Sequence, residues 1–154
     1  MIEPGALQAL IGKWWWNYDE GNFDVLATLL TEDAHFTCRT DTGNAEWEDF
    51  VRADIRGRDE LLRWQSQHRL DSPYPLRHHG ANVHVVEQHG TEATYASYLF
   101  VTQIVDGQVS NLSSALVTGI VRDEHPTLRI AELNVVLDTM NSALFRDVRS
   151  LKTV

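Results

Sequence analysis

Asn17-Tyr18-Asp19-Glu20-Gly21-Asn22-Phe23-Asp24-Val25-Leu26 is the stretch on which the reading of this chain turns. Upstream of it, Leu7, Leu10, Ile11, Trp14 and Tyr18 recur at helical spacing and make one apolar stripe. Gly21 ends that helix, as glycine often does just past a C-terminus. Asn22 is placed to cap a second, short helix carrying Phe23, Leu26, Leu29 and Leu30. A phenol and a carboxylate, Tyr18 and Asp19, thus stand side by side in the last turn of a Trp-rich helix.

Working outward, Ala34 to Thr40 reads as a strand, followed by a polar turn at Asp41-Thr42-Gly43-Asn44. A short strand is expected near Ala53 to Arg56. Gly57 precedes a third helix from Arg58 to about Arg69, with Leu61, Leu62 and Trp64 as its apolar positions, and Ser72-Pro73-Tyr74-Pro75 stops it. Long strands are expected at 76–87, 92–105 and 109–122, then from Leu128 to Leu137, with a short helix after Thr139. Asp106-Gly107 marks a tight hairpin. The expected class is α+β, with three N-terminal helices packed on a curved, mainly antiparallel sheet in a single domain spanning 1–154.

The strand 92–105 is apolar on both faces. Tyr98, Phe100 and Ile104 fall on one side, and Tyr95, Leu99, Val101 and Val105 on the other. With every helix already assigned to one face, a second copy of the chain is the natural cover for the other, which predicts a homodimer through the sheet.

Composition limits the partners. The 154 residues carry a formal net charge of −9, unlike the clustered Lys and Arg that bind phosphates, so neither nucleic acid nor an anionic membrane is expected. No apolar run reaches the roughly 20 residues that span a bilayer. Cys38 is alone, leaving no intrachain disulfide and no Cys-based metal site. The N-terminus lacks a basic segment followed by an apolar run and a small-residue cleavage site, which suggests a cytoplasmic location. No phosphate-binding glycine loop or nucleophile elbow is present. Despite seven histidines, no His-Glu-x-x-His helix occurs, and no metal is expected.

Proton transfer is the chemistry that remains. Asp19 lies where the helix dipole disfavours an anion, so it is either a working acid or base or a solvated residue at a frayed end. Tyr18 continues the buried stripe, and its hydroxyl either stabilises an oxyanion or only packs at a cavity rim. His78, in Arg77-His78-His79-Gly80-Ala81-Asn82, offers an imidazole that can take and give a proton. Alternation puts His78, Asn82 and His84 on one face and the more apolar His79, Ala81, Val83 and Val85 on the other, unless a bulge near Gly80 changes the phase. Periodicity alone therefore leaves His78 and His79 both open. Glu132 and Asn134 share one parity in the last strand, and Asn134, being uncharged, is the better lining residue. Trp15 and Trp64 serve equally as pocket walls or core.

Three motifs carry a resemblance. The segment 17–26 matches the first helix and bend, Gly57-Arg58-Asp59-Glu60-Leu61-Leu62 the Gly-Arg start of the third helix, and Arg77-His78 with Asn82 the His-x-x-x-Asn strand of the cone-shaped nuclear transport factor 2-like superfamily. Within it, the chain is most similar to the SnoaL-like and scytalone dehydratase-like branch. The resemblance implies that Tyr18, Asp19 and His78 are catalytic, and that no cofactor is used. The substrate it implies is a small hydrophobic molecule, polycyclic, polyketide-like or steroid-like, undergoing dehydration, isomerisation or cyclisation. Trp15, Trp64, His79, Asn82, Gln103 and Asn134 are the expected substrate-binding residues. Two positions depart from the dehydratase pattern: Cys38 stands where a second pocket tyrosine is expected, and Gln103 where a second histidine is. A non-catalytic binding or subunit-interaction protein is the alternative.

Overall fold

The computed structural model describes residues 1–149. Helix α1 (Pro4–Asp19) starts on Pro4, whose missing N–H is no loss in the first turn. Its buried face is Leu7, Leu10, Ile11, Trp14, Trp15 and Tyr18. Gly21 follows in the left-handed region (φ 70°), letting the chain reverse into α2 (Phe23–Leu29). Asn22 does not cap α2 through its side chain, which instead donates to Asn17 Oδ1 at 3.1 Å. The chain also leaves helix earlier than its apolar spacing predicts. Leu30 already opens strand β1 (Leu30–Thr40), because its burial is supplied by pairing with Ile130 rather than by a helix face.

A four-residue helix, α3 (Glu48–Val51), follows the polar turn and was not expected from the sequence. It is held down by Glu48, whose buried carboxylate accepts from the Thr40 backbone N–H (3.1 Å) and from the Thr40 hydroxyl. Strand β2 (Ala53–Arg56) and helix α4 (Arg58–Leu70) come next. Four strands complete the sheet: β3 (Leu76–His89), β4 (Glu92–Val105), β5 (Gln108–Glu124) and β6 (Thr127–Leu137). Asp106 and Gly107 both have positive φ, which is how the tight β4–β5 hairpin closes. A last short helix, α5, spans Phe145–Val148.

The fold is α+β. Its six strands lie in the order β2-β1-β6-β5-β4-β3, antiparallel throughout except for the parallel β1–β6 pair. The helices cover one face. That face buries Tyr95, Leu99, Val101, Val117, Leu133 and Val135, while Tyr98, Phe100 and Leu116 on the opposite face stay exposed. Val105 does not join the buried set as its parity suggests. It sits at the hairpin end of β4, 46% exposed, beyond the reach of the helical layer.

Candidate active site

Where α1 ends, its last two residues face different surroundings. Asp19 is 5% exposed yet still an acid at a helix C-terminus, a position that needs compensation. Arg69, in the last turn of α4, supplies it: its Nε–H donates to the Asp19 backbone carbonyl at 3.0 Å, and Nη1 reaches the Pro73 carbonyl at 3.1 Å. A buried cation therefore caps α1 through its backbone.

The Asp19 side chain meets the start of β3. Its Oδ2 accepts the His78 backbone N–H at 2.8 Å, and His78 Nδ1–H donates to Oδ1 at 2.6 Å. This two-point contact fixes the ring and its tautomer, since a carboxylate only accepts. In the neutral imidazole Nε2 then carries the lone pair, and it has no protein partner among the described residues. The ring stacks on Trp15 (centroids 5.0 Å apart, planes 7°) and meets Tyr18 edge-on at 5.2 Å.

His78 borders a cavity of about 380 Å³ with Tyr18, Trp15, Trp64, Phe36, Phe50 and Gln103 among its walls. Tyr18 and His78 thus share one chamber, and Asp19 stands behind His78 rather than at the wall. The Tyr18 hydroxyl lies 2.7 Å from His68 Nδ1. Burial drives the Tyr18 phenol well above its ordinary pKa, so it stays protonated, and burial pulls His68 down to about 4, so it stays neutral. Cys38 also lines the chamber, its thiol pushed up to about 12 by burial.

Among the expected binding residues, Trp15, Trp64 and Gln103 line the chamber. His79, Asn82 and Asn134 do not. His79 is exposed on the outer face, with Nε2 3.0 Å from Thr102 Oγ1. Asn82 is exposed with φ 57° at the point where the β3–β4 register slips between Ala81 and His84. That irregularity reconciles the two parities: Leu76, His78 and Gly80 face inward before it, and Val83 and Val85 are half-buried after it. Gly80 is small because the α1 indole lies on it; a Cβ there would stand 3.1 Å from Trp15 Cδ1. Asn134 turns outward to accept a hydrogen bond from Thr37 (2.8 Å), because Val135 and Leu137 take the inward positions of β6. Glu132 has the same outward parity as Asn134.

His68 and Arg69 escaped the sequence reading. His68 continues the line Leu61–Gln65–His68 at helical spacing, a signal that was available. Nothing local announces the tie from Arg69 to Asp19, whose backbone carbonyl lies fifty residues away in the chain. Leu112 and Ser113 reach the chamber only because β5 bulges against β4 between the pairs Val101–Ser113 and Thr102–Asn111.

The family model for the SnoaL-like domain matches residues 4–128. The chain belongs to the SnoaL-like domain family. Among solved structures, this SnoaL-like domain is similar to a nuclear transport factor 2-like protein with a cystatin-like fold from Novosphingobium aromaticivorans (17% identity, 97% of this chain and 88% of that one, TM-score 0.72). A scytalone dehydratase candidate from the same organism aligns at 15% identity over 88% and 83% of the two chains, TM-score 0.68. The β subunit of benzoate 1,2-dioxygenase from Burkholderia mallei aligns at 19% over 89% and 91%, TM-score 0.68. At these identities the likeness is one of fold. No curated protein matches the SnoaL-like domain in sequence.

Proposed function

We propose that this SnoaL-like domain is a cofactor-independent acid/base enzyme, a dehydratase, isomerase or cyclase acting on a small apolar ring compound. The observation that carries the reading is the His78–Asp19 contact of 2.6 Å behind an imidazole that borders an apolar chamber. In the reaction, His78 Nε2 takes a proton from a carbon beside a carbonyl, and the C–H electron pair moves into an enolate. Asp19 stabilises the imidazolium, and the Tyr18 hydroxyl donates a hydrogen bond to the enolate oxygen. The imidazolium then returns its proton, to another carbon in an isomerisation or to a departing hydroxide in a dehydration. Gln103 is an uncharged donor and acceptor at the same wall.

The test is exchange of the α-protons of 2-tetralone in D2O, followed by NMR. The protein is expected to accelerate exchange over buffer, and His78→Ala to remove about 10²–10⁴-fold of that rate. Equal exchange by parent and variant would end the proposal.

A second reading, subunit interaction, is favoured by the outer sheet face. Tyr98 (59% exposed) and Leu116 (47%) are direct neighbours across β4 and β5, with Phe100 (40%) beside them. The similarity to a dioxygenase β subunit, which works within an assembly, points the same way. A second copy of this chain is the proposed cover, and a cytoplasmic location belongs to the same proposal. Tyr98→Glu is expected to convert a dimer to monomer in analytical ultracentrifugation, by placing an unpaired charge at the centre of the contact. A parent protein that is monomeric throughout would contradict the dimer.

A further inference from the structure

The chamber has a second imidazole besides that of His78. His68 Nδ1 faces the Tyr18 hydroxyl at 2.7 Å, and His68 Nε2 is buried without a hydrogen-bond partner among the described residues. The ring is held between Trp64 (4.6 Å, planes 12°) and Phe50 (4.4 Å, planes 31°), so it has little freedom to seek one. A neutral imidazole has one N–H for its two nitrogens. If Nε2 carries it, the Tyr18 O–H donates a hydrogen bond to Nδ1, and Nε2–H becomes a buried orphan donor, the rarer kind of orphan in folded proteins. If Nδ1 carries it, the imidazole donates to the phenol oxygen, and the orphan is a lone pair. The phenol proton is then available to the chamber.

We infer that His68 is a positioning residue for Tyr18, donating from Nδ1 to the phenol oxygen when ligand is bound. The Tyr18 O–H then points at a carbonyl oxygen of an uncharged ring compound. This inference rests on the acid/base reading above and narrows its substrate class. Among the described residues, no Lys or Arg side chain borders the chamber, and Arg69 gives hydrogen bonds to the Asp19 and Pro73 carbonyls. A carboxylate or phosphate would enter without a counter-ion and lose its hydration, which is strongly unfavourable. A carbonyl needs only the one donor that Tyr18 offers. Donation in series, from His68 to Tyr18 to the carbonyl, strengthens that last bond as negative charge builds on the oxygen.

Two uncharged probes test this. 2-Tetralone carries a ring carbonyl; 1,2,3,4-tetrahydronaphthalene fills the same walls without hydrogen bonding. The parent is expected to bind 2-tetralone more tightly than tetrahydronaphthalene. His68→Phe, which keeps a ring beside Trp64 and Phe50, is expected to weaken 2-tetralone about tenfold and leave tetrahydronaphthalene within about twofold. In the parent complex with 2-tetralone, ¹⁵N NMR of His68 is expected to show the proton on Nδ1, a measurement that needs no variant to fold. Equal losses for both probes, an unchanged 2-tetralone affinity, or a proton on Nε2 in the complex would each overturn the role of His68. A parent that does not prefer 2-tetralone would instead remove the acid/base reading and this inference with it.

Discussion

Asp19→Asn is expected to slow α-proton exchange by about a thousandfold while the protein remains folded. The reason is an arithmetic of donors. His78 presents two N–H groups to Asp19, one from its backbone and one from Nδ1, and the carboxylate accepts both. An asparagine amide has one acceptor oxygen and one NH2 group. If the oxygen takes the backbone N–H, the NH2 faces Nδ1 and selects the tautomer whose proton is on Nε2, where the base is needed. If the oxygen takes Nδ1–H, the NH2 faces the backbone N–H and two donors oppose each other. The first arrangement removes the base, and the second weakens the seat of the ring. The expected cost in stability is about 1–3 kcal/mol, from one buried group left unpaired. The double variant Asp19→Asn/His78→Ala should be no slower than His78→Ala alone, because both residues act through one nitrogen. Exchange by Asp19→Asn within about threefold of the parent would show that the pair does not work as a unit.

Gly119→Ala is expected to have the largest effect on stability. Gly119 lies in the middle of β5, opposite Tyr95 of β4 and Leu133 of β6. An alanine Cβ there would stand 2.1 Å from the Glu132 carbonyl oxygen and 2.7 Å from the Tyr95 ring. Tyr95 is fully buried and cannot swing away, and the Glu132 carbonyl is backbone. Relief requires the strands to shift, with a loss of about 3 kcal/mol or more and a fall in Tm of about 10 °C. The same substitution at Gly12, on the exposed side of α1 with nothing within 4 Å, is the internal control. There alanine is expected to stabilise by up to about 1 kcal/mol, by helix propensity alone. Thermal unfolding followed by circular dichroism separates the two. A Gly119→Ala protein as stable as the parent would contradict the packing of β4 against β6 through this glycine.

The helical stripe of α1, the Gly21 bend, the Asp106-Gly107 hairpin and the strand alternation of β4 are local patterns, set by residues within a few positions of one another. They were readable because periodicity and turn chemistry act at short range. These patterns, with three short motifs, already pointed to the helix-on-sheet cone and to Tyr18, Asp19 and His78. Where the reading of α2 and α3 failed, the cause was a side-chain partner outside the element itself. Asn22 found its partner in Asn17 rather than in the helix it precedes, and α3 exists because a buried carboxylate reaches back to Thr40.

His79, Asn82 and Asn134 were placed by parity or motif, and parity holds only until a strand slips by one residue. The register change between Ala81 and His84 decides which histidine of an adjacent pair faces inward, and its position depends on how β3 meets β4. The neighbourhood of Asp19 is of the same kind. Its identity is written in the chain, but its meaning comes from His78 and Arg69, fifty or more residues away, which only the folded sheet and α4 bring within hydrogen-bonding distance. Sequence alone thus determined the elements and the types of group available for proton transfer. Tertiary structure decided which of them face one chamber, because side-chain direction at a bulge and contact across fifty residues follow from packing, not from propensity.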